Sequence, residues 1–228
     1  MSATPGQVYQ ISTGGIGQTT IAVTPTFTTN DSALLFLKLA SGTTITSVSD
    51  SVNGTSGWTL RQGPGTVSAA DCYIYTRDGM AAGSPVVTVT LGSSATFMGL
   101  EVTPISSTAG YDISSAFNVQ SSGNTRSSNS ATPSTSGLAI GCNYNDTNNN
   151  GGGIGASYTA LAGTGVTGGH FWDFGSGNNF AWSEYLNYAS GAQTATFDFT
   201  ATNTSVTGSV IALFKDIAAG TSVAWLKA

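Results

Sequence analysis

His170 is the only histidine of the chain, and its surroundings do not suit catalysis. It lies in the aromatic run Gly168-Gly-His-Phe-Trp-Asp-Phe174. A Ser-His-Asp mechanism needs the histidine beside a serine nucleophile and an acid. The chain has no Gly-x-Ser-x-Gly motif that would present such a serine. We therefore interpret His170 as a packed or surface imidazole, and we expect that the chain is not an enzyme.

Four acidic residues fall in predicted strands and are the candidates for paired-carboxylate chemistry. They are Glu101, Asp173, Glu184 and Asp198. Hydrolysis of a glycosidic bond needs two inward-facing carboxyl groups about 5 to 10 Å apart. Nothing in the sequence marks two of these four as such a pair, so a glycosidase is not predicted.

The segment that begins at Asp146 resembles the opening of a calcium-binding loop. Asp146, Asn148, Asn150 and Gly151 occupy the first, third, fifth and sixth positions of such a loop. The glutamate that normally closes the loop is replaced by Ser157. With one carboxylate the affinity would be weak, so we expect an Asn/Gly turn, no structural metal and no cofactor. Asp146, Asn148 and Asn150 are the only metal candidates.

An aromatic segment follows this loop and offers a surface on which a sugar could stack. Its aromatic residues are Phe171, Trp172, Phe174, Phe180, Trp182 and Tyr185. Asp173, Asn178 and Asn179 would supply hydrogen-bonding groups beside Trp172. Because side chains alternate along a strand, half of the aromatic rings would face a core. The segment is therefore either core packing or a glycan-binding surface formed by Trp172, Asp173, Asn178 and Asn179.

The composition limits the classes of partner. Charged residues make up 7% of 228 residues, where roughly a quarter is usual, and the net charge is −5. No cluster of Lys and Arg is present to contact a phosphate backbone, so nucleic acid is not predicted as a partner. The apolar runs are shorter than the roughly 20 residues that cross a membrane. The start, Met-Ser-Ala-Thr-Pro, lacks the features of a signal peptide, so we expect synthesis in a cytoplasm.

Short strands separated by turns predict an all-β fold. Val87, Val89 and Leu91 alternate with Thr88 and Thr90, which indicates a half-buried strand. The continuous apolar run that begins at Ala33 is typical of a central strand that is covered on both faces, or of a strand covered by a loop at one end. No segment has a sustained helical period with caps. The sequence therefore predicts a two-sheet antiparallel β-sandwich, resembling a jelly roll.

Much of this strand pattern occurs twice in the sequence. Four segments have a counterpart further along the chain: 32–37 with 136–141, 71–77 with 182–188, 86–91 with 194–199, and 97–102 with 210–215. A spacing of roughly 110 residues is too long for a solenoid repeat. We interpret the chain as one sandwich built from two pseudo-repeated halves, joined by a long polar connection over residues 105–135.

The two ends of the chain differ from the sandwich between them. Residues 1–18 are polar and glycine-rich and are predicted to form an N-terminal arm or edge strand, and residues 19–216 form a single β-sandwich domain. Residues 217–228 are predicted as a C-terminal arm whose apolar tip is Val223, Trp225 and Leu226. An apolar tip on a polar protein should be covered, either by its own sandwich or by a partner.

Cys72 and Cys142 lie in predicted strands. Two readings stay open at this point. They are two buried free thiols that act as small apolar residues, or a disulfide between strands that lie side by side.

Several motifs resemble those of a loosely defined family of β-sandwich modules in phage virion proteins and bacterial surface proteins. They are Thr46-Ser-Val-Ser-Asp-Ser51, Gly57-Trp-Thr-Leu60, Cys72-Tyr-Ile-Tyr-Thr76, Val87-Thr-Val-Thr-Leu91, Gly99-Leu-Glu-Val102 and Val210-Ile-Ala-Leu-Phe214. The turn after Asp50 is longer than the family's usual form, and Val102 stands where an aromatic residue is common. The resemblance implies the fold and display on a virion or a cell surface, but no reaction.

Two functions of different classes follow. The first is a non-enzymatic virion structural protein, a capsid decoration or cement protein of a tailed bacteriophage. It would bind the major capsid protein or other virion proteins, form homo-oligomers and be located in the virion. The alternative is a carbohydrate- or receptor-binding module of a tail fibre or cell-surface protein, with a host glycan as its ligand.

Overall fold

The high content of Val, Ile, Thr and aromatic residues favours strands, and strands make up the fold. The computed structural model describes residues 1–67, 69–121, 123–145, 158–160, 169–173, 180–203 and 206–218. Within these ranges there are strands and turns but no helix, so the predicted all-β antiparallel sandwich is confirmed. The strands are β1 Thr4–Pro5, β2 Tyr9–Val23, β3 Asp31–Ala40, β4 Ile45–Asp50, β5 Thr59–Val67, β6 Ala70–Met80, β7 Val87–Ser106, β8 Thr108–Ser114, β9 Asn118–Gln120, β10 Gly123–Ser127, β11 Gly137–Asn145, β12 Tyr158–Ala160, β13 Gly169–Asp173, β14 Phe180–Tyr188, β15 Thr196–Asn203 and β16 Thr207–Asp216.

These strands pair in three antiparallel sheets. The seven-stranded sheet has the order β1-β7-β3-β6-β5, with β2 and β4 also paired to β7. The six-stranded sheet has the order β13-β14-β11-β16-β8, with β9 paired to β16. The three-stranded sheet has the order β10-β15-β12. Residues 1–18, predicted as an arm or edge strand, contain β1 and most of β2, which both pair with β7.

The long strand β7 curls the seven-stranded sheet over its own face. Its first part, Val87–Leu91, pairs with β4 and with the end of β2. Its later part, Met98–Ile105, pairs with β3. The apolar side chains enclosed by this curl form the first-half core, which includes Leu35, Leu37, Val48, Val89 and Leu100. The predicted inward set Val87, Val89 and Leu91 is buried, as expected.

Two further clusters of buried apolar side chains lie within the described residues. The second-half core lies between the six- and three-stranded sheets and includes Ala139, Phe197, Ile211 and Leu213. The central core joins the seven- and six-stranded sheets and includes Phe36, Ile74, Ile140, Tyr144 and Phe214. Strands β3 and β16 are therefore covered on both faces, and this explains their continuous apolar runs.

The two halves share a set of pairings. Strand β3 lies between β7 and β6, and β11 lies between β16 and β14. The first part of β7 is flanked by β2 and β4, and β15 is flanked by β10 and β12. Strand β5 pairs with β6, as β13 pairs with β14.

The prediction of a long polar connection over residues 105–135 is wrong. This segment contains β8, β9 and β10. Among the strands that the structure describes, β8 and β9 pair with β16 and β10 pairs with β15. These three strands are short and contain many Ser, Asn and Thr residues, so they show no clear alternation of apolar and polar residues.

A close approach at the start of β11 predicts a marked effect of one methyl group. A Cβ atom added at Gly137 would overlap the backbone carbonyl of Phe214 and lie 3.0 Å from the Tyr188 hydroxyl oxygen. Neither β11 nor β16 can move away without losing the hydrogen bonds between them. We therefore expect Gly137→Ala to lower the free energy of unfolding by about 1–3 kcal/mol. Urea denaturation measures this change. Gly6→Ala, where the added Cβ would lie 3.3 Å from the Pro104 carbonyl oxygen, should cost less.

Candidate functional site

Most of the predicted C-terminal arm lies outside the described residues, which end at Ala218. Val223, Trp225 and Leu226 are among the residues that are not described. The last strand, β16, ends at Asp216, and the next residue, Ile217, is exposed. The arm therefore begins at the surface, where the backbone nitrogen of Met1 donates a hydrogen bond to the Ile217 carbonyl (2.9 Å).

The predicted glycan-binding residues fall on one strand and beyond it. Trp172 and Asp173 lie in β13, opposite Ala181 and Phe180 of β14. Asn178 and Asn179 lie outside the described residues. The structure thus places two of the four candidates on one outer strand of the six-stranded sheet.

The metal candidates Asp146, Asn148 and Asn150 also lie outside the described residues. Within the part of the chain that is described, no three His, Cys, Asp or Glu residues are grouped to hold a metal ion. Glu101 is 1% exposed, and it is paired in register with Phe36 of the central core. Its carboxyl group is therefore enclosed between two sheets, away from any substrate in solution.

The two cysteines are not joined in a disulfide, and both are fully buried. Cys72 lies in β6 and Cys142 in β11, and both belong to the central core. The structure therefore confirms the first of the two predictions, in which both thiols are buried and pack as small apolar side chains.

A buried polar arrangement centres on the Asp50 carboxylate, whose side chain is 0% exposed. Arg77 donates to its Oδ2 atom at 2.8 Å and Trp58 donates its indole N–H at 3.1 Å. Its Oδ1 atom accepts the backbone N–H groups of Val52 (3.0 Å) and Asn53 (2.8 Å). These bonds fix the turn between β4 and β5, which carries Val52 at 63% exposure.

The pKa of a buried aspartate is lowered and the pKa values of buried tyrosines are raised, so these shifts lead away from neutral pH. Burial raises the pKa of Asp50, but hydrogen bonds from Asn53, Val52 and Trp58 outweigh it and leave the pKa below its usual value. Burial, with Asp71 nearby, raises the pKa of Tyr73 to about 12. Burial also raises the pKa of Tyr188. None of these shifts creates a group that titrates near pH 7, where a general acid or base works.

Sequence reasoning missed the outer edge of β2. Within the described residues β2 forms its ladder with β7, and β13 of the six-stranded sheet lies near it. Ile11 on this strand is 39% exposed. Beside it lies an open cleft of about 440 Å³, lined by residues 7–11 and 22–24. An edge can be recognised only when the order of the strands is known, so no local pattern could have found it.

The chain was compared with family models, with curated proteins and with solved structures, and no significant match was found. Its described residues include no helix that is long and apolar enough to cross a membrane.

Proposed function

We propose that this chain is a non-enzymatic virion structural protein, a capsid decoration or cement protein of a tailed bacteriophage. It acts by adhesive contacts with the major capsid protein or another virion protein and with further copies of itself. The proposal extends the motif resemblance to phage virion and bacterial surface modules. The observation that carries it is the distribution of charge in the fold.

Charge is scarce in the chain, and much of it is buried. At least three of the six Lys and Arg residues, Lys38, Arg77 and Arg126, are buried. The acidic residues Asp50 and Glu101 are buried as well. The remaining surface is therefore poorer in charge than the composition alone indicates. Charged residues are depleted from the cores of protein interfaces, because their desolvation is costly.

Exposed apolar side chains stand on this charge-poor surface. Val52 is 63% exposed, Val119 is 47% exposed and Leu60 is 45% exposed. Each lies on a strand or on a turn fixed by hydrogen bonds, so little conformational entropy is lost when a partner covers it. A surface of this kind suits a protein that stays bound to a neighbouring protein.

We also infer that the two halves are copies of one unit. The shared pairings and the recurrence of sequence segments support this inference, and each half encloses its own core. One chain would then present two similar modules that pack together through the central core. The jelly-roll-like topology stays a prediction.

The C-terminal arm gives the test of the proposed function. Deletion of residues 219–228 should change the melting temperature of the isolated protein by less than about 2–4 °C, because an arm that binds a neighbouring protein adds little to the stability of the isolated chain. It should sharply reduce co-sedimentation with capsids, because Val223, Trp225 and Leu226 would bind a neighbouring protein there.

Lys227→Ala serves as the matched control, since it keeps the apolar tip and should attach normally. A truncated chain that loses much stability and still attaches to capsids would show that Trp225 belongs to the chain's own core. Failure of the full-length chain to bind capsids at all would reject the virion function.

A further inference from the structure

We propose that Arg61 is a binding site for a carboxylate group of a partner protein. This inference rests on the proposed function, because it names the chemistry through which the chain would bind its neighbour in the virion. The site lies where β5 of the seven-stranded sheet meets β8 of the six-stranded sheet. It consists of the Arg61 guanidinium and the ring of Tyr111.

Two contacts hold the Arg61 guanidinium in place. Its central carbon lies 4.1 Å from the centre of the Tyr111 ring. Its Nε atom donates a hydrogen bond of 2.7 Å to the hydroxyl of Thr76, which is fully buried. These contacts restrict the side chain before a partner arrives, so little conformational entropy is lost when a ligand binds.

The tyrosine beneath the guanidinium is fixed as well. The Tyr111 hydroxyl donates a hydrogen bond of 2.8 Å to Ser114. Its backbone N–H donates to the Asp78 carboxylate at 3.0 Å, and the same carboxylate oxygen accepts the Ser32 hydroxyl at 2.6 Å. The ring also lies edge to face with the buried ring of Phe214. The guanidinium therefore rests on a rigid surface.

The two terminal NH₂ groups of Arg61 are left for a ligand. Within the described residues they donate no hydrogen bond, and Arg61 forms no ion pair. The acids on either side are engaged elsewhere, since Asp112 accepts two hydrogen bonds from Ser134 and Asp78 accepts the backbone N–H of Tyr111. A guanidinium presents its donors as a planar fork, which matches a carboxylate through two parallel hydrogen bonds.

A carboxylate suits this site better than a phosphate group does. In the described part of the chain, Arg61 and Lys215 are the only Lys or Arg residues that are not buried. One arginine balances the single negative charge of a carboxylate. A phosphate group on a protein carries about 1.5 to 2 negative charges at pH 7, and Asp78 and Asp112 would repel it more strongly.

Exposed apolar side chains lie on the same two strands. Leu60 precedes Arg61 in β5, and Ile113 follows Tyr111 by two residues in β8; both are exposed. Arg and Tyr are enriched where interfaces bind most strongly, and the contacts around them exclude water. The occupant is therefore an acidic side chain of a partner protein, with apolar residues beside it.

Neutralisation of Arg61 tests the partner. Arg61→Gln should weaken co-sedimentation with capsids at least about tenfold. Arg61→Lys should retain only part of the attachment, because an ammonium group keeps the charge but lacks the planar fork. Lys215→Gln is the matched control, since it removes one charge from the other half-buried cation and should attach normally. Melting curves show whether the three variants are folded.

Acetate tests the site without capsids. In an NMR titration of the wild-type chain, the Nε–H signal of Arg61 should shift with acetate and should not shift with chloride at equal ionic strength. The signal of Arg77 should stay in place, because this residue is buried and already pairs with Asp50. Inorganic phosphate should shift the Arg61 signal less than acetate does.

An Arg61 signal that acetate leaves unchanged, an Arg61→Gln variant that attaches to capsids like the wild type, or an equal loss for Lys215→Gln would each overturn the proposal. Tighter binding of phosphate than of acetate would also overturn it, because the site would then take another ligand. A wild-type chain that binds acetate at Arg61 but attaches to no capsid would leave this site in place and reject the virion function instead.

Discussion

Replacement of Asp50 by alanine is expected to lower the free energy of unfolding by about 3–5 kcal/mol, because it leaves a buried guanidinium without its counter-ion. Arg77 pairs with Asp50 at 2.8 Å, and its side chain is 9% exposed. The indole N–H of Trp58 and the backbone N–H groups of Val52 and Asn53 would lose their acceptor at the same time. Each buried donor left without an acceptor costs about 1–3 kcal/mol.

Asp112→Ala is the matched control for this experiment. The Asp112 carboxylate also accepts two hydrogen bonds, from the backbone N–H and the hydroxyl of Ser134, but at an exposed site. Water replaces the lost acceptor there, so the free energy of unfolding should fall by about 1 kcal/mol or less. Equal losses for the two variants would contradict the role given to burial at Asp50.

The same carboxylate predicts a pH dependence. The pKa of Asp50 lies below its usual value of 3.8 in the folded chain. Its contribution to stability is therefore complete above about pH 4 and is lost as the pH falls through the lowered folded pKa. The difference in unfolding free energy between the wild type and Asp50→Asn should shrink when urea denaturation is repeated at acidic pH.

The strands of the core could be predicted because alternation reports which side chains are buried. Val87, Val89 and Leu91 are buried, while Thr88 and Thr90 are only half-buried. The number of separate cores, and which strands face each of them, could not be predicted in the same way. An apolar run such as Ala33–Leu37 shows that both faces of a strand are covered, but not that one face meets the first-half core and the other the central core.

The candidate site was less predictable than the fold. Asp50 and Arg77 are 27 residues apart, and no spacing rule connects a turn residue with a residue two strands later. The place of β2 beside β7 depends on the order of seven strands, which pairing between distant segments decides. Chemistry that depends on one segment can be read from a sequence, whereas chemistry that depends on tertiary neighbours cannot.

The second large effect is expected at Phe214, because this side chain joins the two halves. Phe214 is 0% exposed and its ring lies 6.0 Å from the ring of Tyr111, edge to face. It belongs to the central core, which contains side chains from both the seven- and six-stranded sheets. Phe214→Ala should lower the free energy of unfolding by about 3–5 kcal/mol. Calorimetry should still show one transition, because neither half can expose the central core while the other stays folded.

Ile217→Ala provides the comparison, since Ile217 is three residues further along and 41% exposed. That change should leave the free energy of unfolding within about 0.5 kcal/mol of the wild-type value.

The result that would contradict this prediction is a calorimetric trace of Phe214→Ala with two transitions, only one of which has moved. The halves would then unfold independently, and the central core would be a contact between two finished domains. A single transition that shifts as a whole would mean that each half needs the other to cover the face that contributes to the central core. Separate expression of either half would then leave that face exposed to water, and the isolated half should aggregate.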